Sequence, residues 1–159
     1  MKISIICVGK IKEKFYRDAI NEYAKRLSKY CKLEIIEVQD EKTPDHALSA
    51  QEEQVKEKEA SRILKYMRED AFVYSLEIKG EQPDSIQLSS QINSLAIQGK
   101  SHIQFVIGGS LGLHESVSAA ADKAISFSNM TFPHQLMRVI LLEQIYRSFR
   151  IIAGEPYHK

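Results

Sequence analysis

Short segments rich in isoleucine and valine alternate with longer amphipathic segments along most of the chain. The short segments are typical of buried β-strands, and the longer ones repeat apolar residues at the three- and four-residue spacing of helices. Because parallel strands need crossover connections, which helices supply, the alternation predicts an α/β fold with a mainly parallel sheet and helices on both faces. The predicted strands are 2–8, 33–38, 71–76, 102–107 and 124–128, and the predicted helices are 13–30, 50–68, a segment capped by Asp84 or Ser85, 114–122 and 133–152.

The composition indicates a single folded domain over residues 1–159 with no strong overall charge. Hydrophobic residues make up 43% of the chain and charged residues 27%, which is typical of globular proteins. The 22 basic and 21 acidic side chains leave a formal charge of +1, so a nucleic-acid site must be a local patch. No apolar run has the length of a signal peptide or a membrane span. We therefore expect a soluble, cytoplasmic protein.

Two cysteines are present, Cys7 in an apolar run and Cys31 near the end of a predicted helix. Neither belongs to a CxxC pair or to a cysteine and histidine cluster with the spacing of a zinc site. We predict buried free thiols, no disulfide and no bound metal.

Ligands of open parallel sheets bind at the carboxyl ends of the strands, which directs attention to the turns after Leu76, Ile107 and Ser128. The glycine-rich turn at 107–113 would let backbone approach a ligand closely. Its spacing matches neither the dinucleotide-binding fingerprint nor a phosphate loop, so nicotinamide and nucleoside triphosphates are not indicated. A tight turn without a ligand explains the glycines nearly as well.

The turn at 127–134 brings small polar residues to the end of a strand, just before a helix with Pro133 near its first turn. Ser128, Asn129 and Thr131 could bind a ligand through backbone and side-chain groups. Alternatively, Asn129 or Thr131 could cap the following helix, since both are preferred cap residues. Met130 could be a core residue.

The last helix and the tail hold charged and aromatic side chains among apolar residues. Arg147 follows Glu143 by four residues, a spacing that predicts either a modest ion pair or an arginine free to grip a phosphate. His158 is near the end of the chain, and we expect it to be frayed unless a partner orders it. The polar and aromatic side chains of this segment are Arg138, Glu143, Tyr146, Arg147, Arg150, Tyr157 and His158.

Basic residues cluster after the first strand and along the first helix. They could serve only solubility, or they could supply the local phosphate attraction that the whole-chain charge does not. The two groups are Lys10, Lys12, Lys14 and Arg17, and Lys25, Arg26, Lys29 and Lys32.

Three segments, taken in order, match one family: LEIKG at 76–80, IGGSLGL at 107–113, and the run from Ser126 to the C terminus with TFPHQLMR, EQIYR and PYHK. Each motif alone is weak, but their order and spacing are specific together. The chain resembles, over essentially its full length, the ribosomal RNA large subunit methyltransferase H family of the SPOUT superfamily. Members of that family methylate a pseudouridine in bacterial 23S rRNA.

The resemblance implies a C-terminal deep trefoil knot and a homodimer that binds S-adenosylmethionine in the knot. Threaded chains are rare, so periodicity alone would not predict the knot. The residues that the resemblance assigns to cofactor binding are Leu76, Gly108, Phe127, Ser128, Asn129, Met130, Thr131 and Phe132.

The resemblance also implies methyl transfer to N3 of a pseudouridine in 23S rRNA of the assembled ribosome. An imide nitrogen must lose its proton to become a nucleophile, so a base and cationic stabilisation of the uracil carbonyls are required. For stabilisation the candidates are Arg138 and Arg147, and for proton removal or positioning they are Glu143 and His158. Tyr157 would stack on the nucleoside or hydrogen-bond to it.

A homodimer could build one site from two chains, with the tail at 157–159 ordered against the partner. The apolar face expected in that interface is Leu136, Val139, Ile140 and Ile145.

Two other functions remain open. One is a methyltransferase of the same superfamily that acts on tRNA or on a ribose 2′-hydroxyl. The other is a non-catalytic module that binds a nucleotide through the glycine turn and RNA through the basic patches.

Overall fold

The computed structural model describes residues 1–159 and contains one five-stranded parallel sheet with five helices. The strand order is β2-β1-β4-β3-β5, so β2 and β5 form the edges. This confirms the predicted α/β fold with a mainly parallel sheet. The elements are β1 (Lys2–Val8), α1 (Lys14–Leu27), β2 (Lys32–Val38), α2 (Ser49–Leu64), β3 (Phe72–Glu81), α3 (Ser85–Ile97), β4 (His102–Ile107), α4 (Glu115–Ala120), β5 (Lys123–Ile125) and α5 (His134–Ile152).

Helices cover both faces of the sheet. Successive residues of a strand point to opposite sides, so one strand contributes side chains to the cores on both faces. In β1, Ile3, Ile5 and Cys7 pack into a large core with α1, α3 and α5. Ile6 and Val8 face the other way and pack into a smaller core with α2 and α4. The two cores hold the sheet between two helical layers, as predicted.

The ends of several elements differ from the sequence prediction. Helix α3 begins after Asp84, whose carboxylate accepts a 2.7 Å hydrogen bond from the backbone of Gln87, so Asp84 rather than Ser85 is the cap. Strand β5 ends at Ile125 instead of continuing to Ser128. There the backbone N–H of Ser126 donates to the carbonyl of Glu81, and its hydroxyl donates to the carbonyl of Ser128, which turns the chain away from the sheet.

Strand β3 is irregular at the end of the sheet where the strands have their carboxyl ends. Leu76 and Glu81 both pair with Ile125 of β5, so residues 77–80 form a bulge between them. The sequence predicted the end of this strand at Leu76. Beyond the bulge, β3 pairs with β5 a second time. The four residues of the bulge therefore lie at the carboxyl end of the sheet.

Both cysteines are free: Cys7 is buried, as predicted, and Cys31 is only half-buried. Burial raises the pKa of the Cys7 thiol to about 12, so this thiol stays protonated near neutral pH. No three metal-ligating side chains come together. None of the helices combines the length and the apolar character needed to cross a membrane. The trefoil knot implied by the family resemblance remains a prediction.

Candidate active site

A cavity of about 860 Å³ opens at the carboxyl ends of β3, β4 and β5. The bulge of β3, the glycine-rich turn after β4 and the turn between β5 and α5 form its walls. These are the three turns that the sequence singled out. Seven of the eight residues predicted to bind a cofactor line this cavity, namely Leu76, Gly108, Phe127, Ser128, Met130, Thr131 and Phe132.

Asn129, the eighth residue, does not line the cavity. Its side-chain oxygen accepts a 2.8 Å hydrogen bond from Gln82 at the protein surface. The helix-cap alternative for this turn is wrong, because Pro133 occupies the cap position of α5 and no side chain caps it. The alternative that Met130 is a core residue is also wrong, since Met130 is 73% exposed and lines the cavity.

The glycine-rich turn folds tightly against itself. Gly109 and Gly112 form an isolated antiparallel bridge, and the backbone N–H of Gly112 donates a 3.1 Å hydrogen bond to the carbonyl of Gly109. A Cβ atom on Gly108 would lie 2.8 Å from the carbonyl carbon of Gly112, which real Cβ atoms do not tolerate. Only glycine therefore fits at position 108, and its backbone forms part of the cavity wall.

Four further charged or titratable side chains, which the sequence analysis did not single out, line the cavity: Lys56, Glu77, Lys79 and His134. Burial, followed by the charge of Arg138, holds the pKa of His134 below its ordinary value, so His134 is neutral at physiological pH. Glu77 accepts short hydrogen bonds from two serine hydroxyls. Glu77 lies within the LEIKG motif, so the sequence held a signal for this residue.

The remaining catalytic candidates form a second cluster on α5 and the tail. Arg147 donates to one oxygen of Glu143 through Nε at 2.9 Å and Nη2 at 2.6 Å. The hydroxyl of Tyr157 donates to the other oxygen at 2.9 Å. The Arg147 guanidinium also lies over the Tyr157 ring, 4.7 Å from its centroid, and contacts Nδ1 of His158 at 3.2 Å. The predicted ion pair between Glu143 and Arg147 is confirmed.

The tail returns to α5 because the chain reverses at Gly154. This residue follows the last turn of α5 with φ +68°, a conformation that glycine adopts without strain. Glu155 then accepts hydrogen bonds from the Tyr30 hydroxyl at 2.8 Å and from Lys29 at 3.4 Å, and it pairs with Arg150 at 3.1 Å. The tail is therefore anchored to α5 and to the turn after α1 of its own chain, and His158 contacts Arg147 without a partner chain.

The two groups of predicted residues do not meet within one chain. Met137 is the last residue of α5 that lines the cavity, and Arg147 follows it by ten residues. At 1.5 Å per residue, this places Arg147 about 15 Å farther along the helix. The cluster formed by Glu143, Arg147, Tyr157 and His158 therefore lies outside the cavity of its own chain.

Arg138 lies apart from both groups, inside the protein. Its side chain is 2% exposed and donates to Glu37 at 2.6 Å and to the carbonyl of Gly9 at 2.7 Å. It also donates to the carbonyl of Val8 at 3.3 Å. Arg138 thus ties the start of α5 to the ends of β1 and β2, and it does not line the cavity.

The first of the two basic groups lies beside the start of α5. The backbone N–H of Lys12 donates a 3.1 Å hydrogen bond to the side chain of Gln135, next to His134 of the cavity. Lys10, Lys12, Lys14 and Arg17 are all exposed, as is Phe15 at 63%. In the second group, Arg26 pairs with Glu22 and Lys29 with Glu155, so these charges are partly neutralised.

Another cavity, of about 580 Å³, opens at the amino ends of the strands. Two of its side chains, Lys2 and Glu34, pair at 2.7 Å, and a third, His102, bonds to the buried Ser4 hydroxyl at 2.7 Å. No predicted site residue lines it, and ligands of parallel sheets bind at the opposite edge. The cavity at the carboxyl ends is therefore the candidate active site.

Comparisons with known proteins identify the family of the chain. A family model described as "Predicted SPOUT methyltransferase" matches residues 1–158. The chain is 62% identical to the ribosomal RNA large subunit methyltransferase H of Bifidobacterium adolescentis and 55% identical to that of Clostridium kluyveri, in each case over the whole of both chains. A solved structure titled "The structure of a probable methylase family protein from Haemophilus influenzae Rd KW20" has a TM-score of 0.53 and 12% identity, covering 99% of this chain and 70% of that chain. This likeness concerns the fold.

Proposed function

The chain belongs to the ribosomal RNA large subunit methyltransferase H family of SPOUT methyltransferases, and we propose that it methylates N3 of a pseudouridine in 23S rRNA with S-adenosylmethionine as methyl donor. The names of the relatives give ribosomal RNA of the large subunit as their substrate. The observation that carries the proposal is the meeting of three separate turns around one cavity at the carboxyl edge of the sheet.

The residues around the cavity fit this methyl donor. Its volume, about 860 Å³, lies within the range of small-molecule sites. Leu76, Phe127 and Phe132 offer apolar surface for an adenine ring, and Ser128 and Thr131 offer hydrogen-bonding groups. When bound, S-adenosylmethionine supplies an activated methyl group on a sulfonium sulfur.

Arg147 and Tyr157 suit the stabilisation of a uracil anion. Burial, followed by the hydrogen bond to Glu143, raises the pKa of Tyr157, so its hydroxyl remains a donor at neutral pH. An arginine and a phenol that face the uracil carbonyls would stabilise the negative charge that develops when N3 loses its proton. Glu143, whose two oxygens already accept bonds from these side chains, acts as their positioning residue.

His158 is the proposed base. Arginine carries only donors, so the contact from Arg147 requires a lone pair on Nδ1 of His158 and leaves the proton on Nε2. The neutral imidazole can accept the N3 proton at Nδ1 when the substrate replaces Arg147 as its partner. Arg138 is assigned a positioning role, because its buried side chain holds α5 against the sheet.

The distance between the cavity and the tail supports a homodimer. A cavity and a catalytic cluster about 15 Å apart on one chain cannot act on the same nucleotide atom. In a symmetric dimer the tail of one chain could meet the cavity of its partner. Leu136, Val139 and Ile140 are half-buried and available for the interface, whereas Ile145 is fully buried in its own core and does not contribute as expected.

The assembled ribosome is the proposed substrate because one small domain offers little surface for selecting a single nucleotide within a long RNA. Recognition would then depend on the shape of the folded ribosome as well as on the loop that bears the target. The proposal implies that the enzyme works in the cytoplasm, where ribosomes are.

The proposal is tested by incubating the purified protein and labelled S-adenosylmethionine with 70S ribosomes that lack the modification. Mass spectrometry of the 23S nucleosides should then detect 3-methylpseudouridine. Incorporation only into tRNA, or into ribose, would reject the proposed substrate while keeping the enzyme class. Binding of cofactor or RNA without incorporation into any RNA would indicate the non-catalytic module.

A further inference from the structure

Glu77 is the only carboxylate that lines the cavity. It lies in the bulge of β3, directly after Leu76, and its side chain is half-buried. Two lysines also line the cavity: Lys56 pairs with Glu53, and Lys79 forms no ion pair with Glu77. Glu77 takes part in no ion pair, so its negative charge is not neutralised by another side chain.

Two serine hydroxyls hold the carboxylate of Glu77. One oxygen accepts a 2.6 Å hydrogen bond from Ser75, which is fully buried in β3. The other oxygen accepts a 2.6 Å hydrogen bond from Ser118 of α4. These short, charge-assisted bonds fix both oxygens in place before any ligand binds.

The fixed carboxylate still has acceptor capacity. An ionised carboxylate offers about four lone-pair sites, and the two serines use only two. Each serine hydroxyl donates its hydrogen bond to Glu77, so the remaining lone pairs of the carboxylate lie at the cavity wall without a donor. They suit a ligand that donates N–H or O–H groups. A carboxylate placed at the end of a parallel strand beside a glycine turn commonly accepts such bonds from a nucleoside.

We infer that Glu77 is a binding residue that accepts a hydrogen bond from a donor group of the methyl donor, either a ribose hydroxyl or the α-ammonium group. The inference rests on the proposed function, because it assumes that this cavity holds S-adenosylmethionine. Ser75 and Ser118 are positioning residues for this contact. Helix α4, which does not form the three turns, thereby contributes to cofactor binding through Ser118.

The test measures binding by isothermal titration calorimetry with three ligands. S-adenosylhomocysteine carries both donor groups, 5′-methylthioadenosine lacks the ammonium, and a 2′,3′-dideoxy analogue of S-adenosylhomocysteine lacks the ribose hydroxyls. Hydrogen bonds to charged groups predict that Glu77→Gln weakens S-adenosylhomocysteine binding about 10- to 100-fold. The loss should disappear with the one analogue that lacks the contacted group, which identifies that group.

Matched variants separate this contact from a general loss of structure. Glu115→Gln makes the same chemical change at an exposed position of α4 outside the cavity, and it should leave all three affinities unchanged. Ser118→Ala should weaken S-adenosylhomocysteine less than Glu77→Gln, since it frees the carboxylate without removing it. Thermal melting of each variant reports whether the fold is retained.

An unchanged affinity of Glu77→Gln for S-adenosylhomocysteine would overturn the inference, and so would an equal loss for all three ligands. The proposed function fails in a different way. If the unmodified protein binds none of the three ligands, the cavity is not a site for this methyl donor. If the unmodified protein binds them and Glu77→Gln binds them equally well, only the role of Glu77 is rejected.

Discussion

Arg138 and Glu37 form a 2.6 Å ion pair between the first turns of α5 and the end of β2, across 101 positions of the chain. The two partners differ in environment: the arginine side chain is 2% exposed and the glutamate side chain 37% exposed. The same guanidinium bonds to the carbonyls of Val8 and Gly9, so it closes the carboxyl end of β1 as well.

Replacing Arg138 by methionine should lower the free energy of unfolding by about 2–3 kcal/mol. The methionine fills a similar volume but leaves the carbonyl of Gly9 without a donor, while water can still hydrate the half-exposed Glu37. Urea denaturation measures the change. Arg68→Met, which breaks an exposed pair with Asp70, is the matched control and should have no measurable effect. Equal stability of the two variants would show that the buried pair contributes nothing.

The stability of the protein should fall as the pH is lowered through about 6.5, in part because of His134. The folded protein holds the pKa of His134 below its ordinary value of 6.5, through burial and then the charge of Arg138. The unfolded chain therefore binds this proton more readily, and acid favours unfolding. Burial lowers the pKa of His102 as well, so part of the dependence has a second source.

His134→Gln should flatten the dependence of stability on pH, since it removes one of these two contributions. Urea midpoints at pH 7.5 and pH 5.5 are compared for the variant and the unmodified protein. His46→Gln, at an exposed loop position, is the control and should keep the original difference. Parallel pH profiles for His134→Gln and the unmodified protein would contradict the assigned role of His134.

Deleting residues 157–159 should abolish methyl transfer and leave the affinity for S-adenosylhomocysteine nearly unchanged. The deletion removes Tyr157 and His158 but none of the residues that line the cavity. Loss of a positioned base alone typically costs a factor of about 100 or more in rate. Labelled methyl transfer and calorimetry give the two readouts. Unchanged turnover would remove the tail from the mechanism.

The exposed side chains of Lys10 and Lys12 should contribute to RNA binding without changing the affinity for the cofactor. In the double variant with Lys10→Ala and Lys12→Ala, affinity for 70S ribosomes should fall, and the slope of log affinity against log salt should become shallower by about 0.7–0.9 for each lost phosphate contact. Lys65→Ala with Lys100→Ala, at the opposite edge of the sheet, serves as the control. Equal slopes for the two double variants would assign these lysines to solubility only.

Local patterns predicted most of the fold. Strands β1 and β4 have the predicted bounds, because each is a short apolar run that ends at a glycine or a turn. The burial of Arg138 could also have been predicted: it lies on the same helical stripe as Leu141, Leu142 and Ile145, all of which are buried. The expectation that Arg138 stabilises the uracil carbonyls rested on its residue type and not on its position along that stripe.

Other features depend on contacts that the sequence does not encode locally. The bulge of β3 exists because Leu76 and Glu81 share one partner, Ile125, and strand register is decided by the neighbouring strand. The position of the tail depends on one reversal at Gly154 and on the bond of Glu155 with Tyr30, which follows α1. The separation of the tail from the cavity could therefore be seen only once the helix connecting them was folded.

The position of helix α5 in the chain determines when the site can form during synthesis. This helix follows all five strands along the chain, yet its first residues complete the cavity, its buried arginine joins β1 to β2, and its end carries the proposed catalytic cluster. Domains fold as they emerge during synthesis, N-terminal part first. A nascent chain therefore has all five strands before it has the helix that completes the cavity, so the site forms later in synthesis than the sheet.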